Sequence, residues 1–174
     1  MEFRKGGIAD AGRIADLVNS AYRDESSKLG WTTEADLIGG QRTDAGEVKT
    51  LIGEKDSIFI LCMSGDELIA SVHVERQDDH AIIGMLTVKP DLQGKGIGKR
   101  LLDEAEKRAD EAWKVGKFRM AVLTFRDSLI EFYERRGYRR TGLYEPFPSD
   151  PKFGIPKVSG LRFEWLEKHV LPSR

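Results

Sequence analysis

The chain has one cysteine, no long apolar run and almost no net charge, and each shortage excludes a class of protein. Since Cys62 is the only cysteine among 174 residues, no intramolecular disulfide and no cysteine-rich metal site can form, and we expect no metal. No apolar run approaches the roughly 20 residues of a membrane-spanning helix. The formal net charge is -1, so no global field attracts nucleic acid or anionic lipid.

These shortages leave a small enzyme or binding protein as the expected class. A chain of 174 residues is near the usual size of one domain, so we expect a single domain over residues 1–174. Residues 1–7 lack the apolar core of a signal peptide, which predicts a cytoplasmic protein. Cys62 lies in an apolar run, where we expect core packing rather than catalysis. We expect no nucleic-acid or membrane partner, and a homodimer is left open.

The most informative segment is the glycine-rich run 93–98, Gln-Gly-Lys-Gly-Ile-Gly. It lies between an apolar run, residues 81–88, that predicts a strand and an amphipathic run, residues 98–113, that predicts a helix. Such a turn leaves backbone N–H groups free at the positive end of the helix dipole, which makes an anion site. Glycines also let a ligand approach the backbone. The basic side chains nearby are Lys95, Lys99 and Arg100.

The glycine spacing fits neither of two better-known phosphate loops. A P-loop needs four residues between its first glycine and a Gly-Lys-Ser/Thr group, but only three separate Gly94 from Gly98. A dinucleotide fingerprint that starts at Gly96 would need a glycine where Leu101 stands. A site for ATP or NAD is therefore disfavoured, and a glycine turn that binds nothing is left open.

The remaining pattern, Gln-x-x-Gly-x-Gly from Gln93, resembles the acyl-CoA-binding motif of the GNAT acetyltransferase superfamily. That motif follows a strand that ends in Val-x-Pro, as residues 88–90 do here. The resemblance implies acetyl-CoA as co-substrate, with loop amides on its pyrophosphate and backbone groups of Leu86 and Val88 on its pantetheine. The cofactor-binding residues that it implies are Leu86, Val88, Gln93, Gly94, Lys95, Gly96, Ile97, Gly98 and Lys99.

The order of the predicted elements also resembles this family over nearly the whole chain. Hydrophobic periodicity predicts the order β-α-α-β-β-β-α-β-α-β-β. The resemblance implies a single-domain α/β (α+β) fold with a mixed, mostly antiparallel sheet flanked by helices, and acyl-CoA in a cleft where two strands splay apart. The predicted strands are residues 2–5, 57–63, 68–75, 81–88, 118–125, 138–144 and 161–167, and the helices are residues 10–24, 44–52, 98–113 and 128–136.

Finer features are predicted within these elements. Alternation over residues 68–75 predicts a strand with one buried face. Ser128 and Glu131 have the spacing of a capping box at a helix start, and Gly137 is suited to end that helix. Residues 25–43 and the proline-rich residues 145–159 are expected to be irregular.

Residues 129–138, Leu-Ile-Glu-Phe-Tyr-Glu-Arg-Arg-Gly-Tyr, resemble a second family segment whose tyrosine often protonates the departing CoA thiolate. Tyr133 falls on that tyrosine. A phenol can share its proton with a leaving sulfur because its reference pKa, about 10, is not far above that of a thiol, about 8.5. Tyr133 is the predicted general acid, although a purely structural role is left open. Arg126 stands where the family has an asparagine, which puts that asparagine's contact with CoA in doubt.

A general base must take a proton from the attacking amine. His73 and Glu75 lie on one face of a predicted strand and are the predicted catalytic bases, although solvent-facing roles are left open. Glu34 and Asp36 are the next candidates.

The irregular residues 30–42 carry a lone tryptophan between glycines, with acidic, amide and basic side chains beside it. Loops of this composition bind more often than they pack, although a tryptophan that anchors the loop to the core is left open. With residues 145–159, this segment is expected to line the entrance of a small polar, amino-acid-like acceptor. The predicted substrate-binding residues are Trp31, Glu34, Gln41 and Arg42.

The sequence therefore predicts an acetyl-CoA-dependent N-acyltransferase that acts on a small-molecule amine by direct transfer in a ternary complex. An acyl-CoA-binding module without turnover and a protein N-acetyltransferase are left open.

Overall fold

The computed structural model describes residues 1–171. Its helices are α1 (Ala11–Tyr22), α2 (Ala45–Gly53), α3 (Ile97–Trp113) and α4 (Asp127–Glu134). Its strands are β1 (Glu2–Lys5), β2 (Ile38–Gly39), β3 (Ser57–Ser64), β4 (Glu67–Gln77), β5 (His80–Val88), β6 (Lys117–Leu123), β7 (Arg139–Pro146), β8 (Ile155–Pro156) and β9 (Arg162–His169). The predicted order of elements is confirmed, with the short pair β2 and β8 as an addition.

Seven strands form one sheet in the order β1-β3-β4-β5-β6-β9-β7. Every neighbouring pair is antiparallel except β5 and β6. The fold is therefore the predicted mixed, mostly antiparallel sheet flanked by helices.

Strands β5 and β6 separate soon after they meet. Their register holds only two pairs, which join Ala81 to Phe118 and Ile82 to Arg119. Further along β5 the pairing with β4 shifts register, and Met85 adopts a left-handed backbone conformation with φ +48°. A bulge of this kind bends a strand away from its neighbour. The predicted cleft opens at this point.

Two apolar cores lie on opposite faces of the sheet. One includes the inner face of α3, with Leu101, Leu102 and Ala105 packed on the central strands. The other includes the inner face of α1, with Ile14 and Val18, and this helix lies over β4 and β5. Cys62 is completely buried in the first core, as predicted, and burial raises the pKa of its thiol. No helix among residues 1–171 is long and apolar enough to cross a membrane.

Several finer predictions are wrong. Strand β4 is buried on both faces from Leu68 to Val74, because it lies at the centre of the sheet with helices on either side. No side chain caps the start of α4, which begins at Asp127 and leaves Ser128 within its first turn. Strand β6 ends at Leu123, and Phe125 is exposed beyond it. Gly137 does close α4, with φ +94°.

The two segments predicted to be irregular contact each other. Residues 25–43 contain a 3-10 turn, Glu25–Leu29, and the short strand β2, which pairs with β8 from the proline-rich segment. Lys157 reinforces the contact, since its Nζ donates to the carbonyl of Ala35 at 2.8 Å. Ile38 of β2 belongs to a small apolar cluster with Leu123 at the end of β6.

Candidate active site

Two adjoining cavities occupy the cleft between β5 and β6. The glycine-loop cavity, about 300 Å³, is walled by the turn before α3, by α4 and by the turn that follows α4. The arginine cavity, about 280 Å³, lies deeper between the strands and is walled by residues of the segments 23–42 and 147–153. Leu86, Leu129 and Tyr133 line both cavities. A molecule in one cavity therefore meets a molecule in the other beside Tyr133.

The glycine loop has the backbone geometry that an anion site requires. Gly94 and Gly96 adopt left-handed conformations, with φ +77° and +84°, and Gly96 is the residue before α3. The first backbone bond of α3 runs from the N–H of Arg100 to the carbonyl of Gly96, at 3.2 Å. The N–H groups before Arg100 thus have no acceptor within the helix and are available to an anion.

Most of the predicted cofactor residues line the glycine-loop cavity. Lys95 is the exception, because its side chain is exposed outside the cavity wall. Arg135 and Arg136 join the wall from the end of α4 and add positive charge that the sequence prediction did not include. The predicted residues that line this cavity are Leu86, Val88, Gln93, Gly94, Gly96, Ile97, Gly98 and Lys99.

The Gln93 side chain joins the glycine loop to the segment before Glu34. Its Oε1 accepts from the N–H of Trp31 at 2.8 Å, and its Nε2 donates to Thr32 Oγ1 at 2.8 Å and to the Val88 carbonyl at 3.0 Å. Trp31 packs on Phe132, with ring centroids 5.7 Å apart. Trp31 therefore walls the glycine-loop cavity rather than the arginine cavity, where the predicted acceptor site would lie.

Two side chains engage the carbonyls of β5 that were expected to meet pantetheine. Tyr22 donates its hydroxyl proton to the Leu86 carbonyl, and Gln93 donates to the Val88 carbonyl. A ligand that pairs along β5 must share these carbonyls with the two side chains.

Tyr133 projects from α4 into the junction of the two cavities. Its ring is buried and makes edge contacts with Phe132 and Tyr138, at 5.3 and 6.0 Å between centroids. Its hydroxyl has no hydrogen-bond partner within residues 1–171, so it is free to donate to a ligand. Burial raises the pKa of Tyr133 far above its usual value. The phenol therefore keeps its proton throughout the working pH range.

A buried ion network forms the floor of the arginine cavity. Glu34 accepts from Arg23 Nε at 2.7 Å and pairs with Arg126 Nη1 at 3.4 Å. Arg23 also donates to the carbonyls of Gly40, Gln41 and Phe153 at 3.2–3.3 Å, and Arg126 donates to the carbonyl of Thr32. The network holds the start of α4 and both cavity-lining segments in one arrangement.

Of the remaining predicted acceptor residues, Arg42 lies in a cavity wall and Gln41 does not. Arg42 lines the arginine cavity, and its backbone is fixed because its N–H donates to Asn19 Oδ1 at 2.7 Å. Gln41 is exposed and lies outside both cavities. The exposed Asp36 also lies outside them.

The predicted bases His73 and Glu75 lie outside the walls of both cavities. His73 is buried on the α1 side of the sheet, where its Nε2 is 2.7 Å from Ser57 Oγ and its ring makes a tilted contact with the ring of Phe59. Burial, with a smaller effect of Arg42, lowers the pKa of His73 to about 4. Glu75 accepts from Gln77 near the end of β4. A base at either residue stays a prediction.

The sequence prediction missed Tyr22, Arg23 and Arg136. All three were hidden by their setting, since Tyr22 and Arg23 end an amphipathic helix and Arg136 stands in a pair of arginines that reads as surface charge. Arg126 did carry a signal, because it replaces the family's asparagine. Its function in the buried network could not be inferred from that replacement.

A sequence model of the Acetyltransferase (GNAT) family matches residues 16–138 of the chain. The structure of an N-acetyltransferase from Staphylococcus aureus Mu50 is similar, with a TM-score of 0.71, 15% identity, and 97% of this chain and 96% of that chain covered. PaiA N-acetyltransferase from Thermoplasma acidophilum, in complex with coenzyme A, gives 0.67 at 20% identity, with 97% and 98% covered. Aminoglycoside 6'-N-acetyltransferase, complexed with coenzyme A, gives 0.71 at 17% identity, with 100% and 99% covered. No curated protein sequence is significantly similar.

Proposed function

We propose that this chain, which belongs to the GNAT acetyltransferase family, is an acetyltransferase for small molecules. It transfers an acetyl group from acetyl-CoA to the amine of a small polar acceptor. The observation that carries the proposal is the place of Tyr133, whose free hydroxyl meets both cavities. One cavity has an anion site for the donor, and the other can hold a separate acceptor beside it.

The glycine-loop cavity supports acetyl-CoA as the donor. The free N–H groups before Arg100 suit a pyrophosphate, and Lys99, Arg135 and Arg136 suit further phosphate charge. Two solved structures of the same fold are complexes with coenzyme A. The thioester of a donor bound in this way would reach the junction where Tyr133 lies.

The proposed reaction is direct transfer between the two bound molecules. The neutral amine attacks the thioester carbon, a C–N bond forms, and the C–S bond breaks. Tyr133 donates a proton to the departing sulfur, while the amine proton passes to water. Cys62 cannot carry the acetyl group as an intermediate, because it is completely buried in the core.

The proton of the amine has no free side-chain acceptor in the described part of the cleft. Glu34 is the only carboxylate there that lines either cavity, and both of its oxygens are engaged by arginines. Water is therefore the proposed proton acceptor.

Calorimetry with acetyl-CoA, ATP and NAD, followed by a free-CoA release assay over an amine panel, tests the proposal. We expect that acetyl-CoA binds whereas ATP and NAD do not, and that at least one amine releases CoA. Binding without release over both small amines and peptides would indicate a binding module, and release with peptides alone would indicate a protein acceptor.

Gly98→Glu tests the position of the donor. A Cβ atom at Gly98 would meet Val88 Cγ2 at 3.6 Å and Phe132 Cζ at 3.7 Å, which are ordinary contacts, and the rest of the side chain can extend into the cavity, so the variant should fold. Its carboxylate would enter the glycine-loop cavity and repel phosphate, so we expect acetyl-CoA binding to weaken at least tenfold, by about 1.4 kcal/mol. Gly98→Ala is the matched control and should bind nearly as wild type does. Equal binding by Gly98→Glu and wild type would place the donor elsewhere.

A further inference from the structure

The charged side chains that line the arginine cavity are unbalanced. Three arginines, Arg23, Arg42 and Arg126, line it, whereas Glu34 is the only acidic residue among the described residues of its wall. Because Glu34 pairs with both Arg23 and Arg126, that trio keeps a net charge of one positive unit. Arg42 adds a second. A cavity with this charge repels a cationic ligand and attracts an anionic one.

Arg23 and Arg126 are not free to bind a ligand. The side chain of Arg23 is 2% exposed, and its guanidinium bonds to Glu34 and to three backbone carbonyls. The side chain of Arg126 is 9% exposed and is held by Glu34 and the carbonyl of Thr32. These two arginines hold the cavity in shape.

Arg42 differs from them, because its guanidinium has no hydrogen bond or ion pair to any residue from 1 to 171. Its backbone is nonetheless fixed, since Asn19 Oδ1 accepts from the N–H groups of Arg42 and Thr43 at 2.7 and 3.3 Å. The Arg42 charge lies near the buried His73, whose pKa is lowered mainly by burial and to a smaller extent by Arg42. Arg42 thus carries a guanidinium without a partner among the described residues, on a fixed stretch of backbone in the cavity wall.

The rest of the wall is largely apolar and aromatic. Phe147, Phe153 and Phe163 line the cavity, and the rings of Phe147 and Phe163 stack with centroids 5.8 Å apart. A volume of about 280 Å³ is at the small end of ligand pockets. An aromatic wall and one free guanidinium suit a small molecule with an apolar body and a carboxylate.

We propose that the acceptor is a carboxylate-bearing amine of amino-acid type with an apolar side group, and that Arg42 binds its carboxylate. The inference rests on the proposed function, since it names the acceptor of the same reaction. A guanidinium binds a carboxylate through two parallel hydrogen bonds, which orients the molecule as well as holding it. The amine then extends toward Tyr133 and the thioester.

The same positive charge also assists the chemistry. Nearby positive charges disfavour the ammonium form of a bound amine and so lower its pKa. The acceptor then binds in the neutral form that attacks the thioester carbon, and its proton goes to water. The arginines thereby replace the general base that the described part of the cleft lacks.

A matched panel of amines tests the proposal on the wild-type enzyme. It contains phenylalanine, 3-amino-3-phenylpropanoate, phenylalaninamide, 2-phenylethylamine, the phosphonate analogue of phenylalanine, and kanamycin as a polycation. We expect at least one of the two carboxylated amines to be acetylated with a kcat/KM at least tenfold above those of the amide and the phenylethylamine. The phosphonate shows whether Arg42 accepts any anion or requires a carboxylate. Equal use of the amines that lack a carboxylate, or preference for kanamycin, would overturn the proposal and leave the acetyltransferase activity intact.

Arg42→Gln tests the residue. We expect KM for the carboxylated acceptor to rise at least tenfold, about 1.4 kcal/mol, with acetyl-CoA affinity unchanged. The kcat/KM for phenylalaninamide should fall less, because that amine loses only the effect of the Arg42 charge on its pKa. Arg42→Lys should recover part of the loss, because it restores the charge without the paired hydrogen bonds. Arg139→Gln, which removes an exposed arginine outside both of these cavities, is the control.

Binding of a reaction product gives a readout that does not need turnover. N-acetylphenylalanine should raise the melting temperature of wild type but not of Arg42→Gln, whereas N-acetylphenylalaninamide should raise neither. If acetyl-CoA binds but no amine releases CoA and no product binds, the proposed function and this inference both fail. If the acid and the amide bind alike, the inference alone fails.

Discussion

At the scale of single residues, Tyr133→Phe tests the general acid. The substitution keeps the ring that packs between Phe132 and Tyr138 and removes only the hydroxyl at the cavity junction. General acid catalysis contributes about 10²–10⁴-fold, so we expect kcat to fall by that order. Acetyl-CoA affinity and melting temperature should stay close to wild type. Steady-state kinetics with an identified acceptor measures the fall.

Tyr144→Phe is the matched control, because Tyr144 is 44% exposed on the outer strand β7 and lines neither cavity. A Tyr133→Phe enzyme that keeps more than about a third of wild-type turnover would show that another group protonates the sulfur. The rate of the wild-type enzyme at high pH gives a second test of Tyr133. Because burial raises its pKa far above the usual value, we expect no decline in rate below pH 10 that depends on Tyr133.

Sequence alone could locate Tyr133 because its signal is local, a tyrosine within one short segment of a helix. The function of Arg126 could not be found in this way. It depends on Glu34 and Thr32, which lie 92 and 94 residues earlier in the chain. A replacement for an expected asparagine was visible, but its partners were not.

At the scale of elements, the segment from Trp31 to Glu34 connects the two cavities. Trp31 packs on Phe132 in the glycine-loop cavity, Gln93 holds the backbone of Trp31, and Glu34 belongs to the arginine network. The sequence predicted that Trp31 binds the acceptor. Its position now indicates that the donor depends on it as well.

Trp31→Ala should therefore weaken acetyl-CoA binding about threefold to tenfold, or about 0.7–1.4 kcal/mol, since it removes an aromatic wall from the donor cavity. We expect a smaller change in KM for the acceptor, because Gln93 and Glu34 still hold the backbone of the segment. Calorimetry with acetyl-CoA measures the first effect. Phe125→Ala removes an exposed aromatic ring outside both cavities and should change neither. A rise in the acceptor KM alone would return Trp31 to the acceptor site.

Elements with a strong internal pattern were predictable, and those set by distant contacts were not. Helix α3 begins one residue before its predicted start and ends at the predicted residue, because its apolar positions repeat along a single face. Strand β4 also shows alternation, yet its centre is buried on both faces. Its burial is decided by its central place in the sheet, which no local pattern contains. The pair β2 and β8 is set in the same way, by contact between segments more than 100 residues apart.

At the scale of the whole molecule, the resemblance in element order carried the fold prediction. The order of strands in space, with β6 beside β9 and β7 at the edge, cannot be read from hydrophobic periodicity. Hydrophobic periodicity also does not show that β5 and β6 pair at only two positions and then separate, which opens the cleft. Local patterns fixed which segments form elements, whereas the site depends on how distant elements meet.

The stability of the whole molecule should decrease with acid in the range where His73 titrates. His73 is buried, and its pKa is lowered from 6.5 to about 4 in the folded chain. Between those two values the unfolded chain binds more protons than the folded chain, so the free energy of unfolding falls as the pH falls. Across this whole pH range the free energy of unfolding should fall by about 3 kcal/mol. Asp10, whose pKa is lowered to about 2 by Arg4, acts below this window, so its contribution is lost only as the pH falls further.

Urea unfolding followed by circular dichroism at pH 7, 6, 5 and 4 measures this decrease, and His73→Gln assigns it. The glutamine cannot be protonated in this range, so we expect a flatter dependence on pH for the variant. Its free energy of unfolding at pH 7 should itself be lower, because the ring contact with Phe59 is lost, and the comparison is therefore between slopes. Equal slopes for wild type and His73→Gln would contradict the assignment. A wild-type free energy that stays constant from pH 7 to pH 4 would mean that His73 is protonated in the folded chain, against its burial beside Ser57.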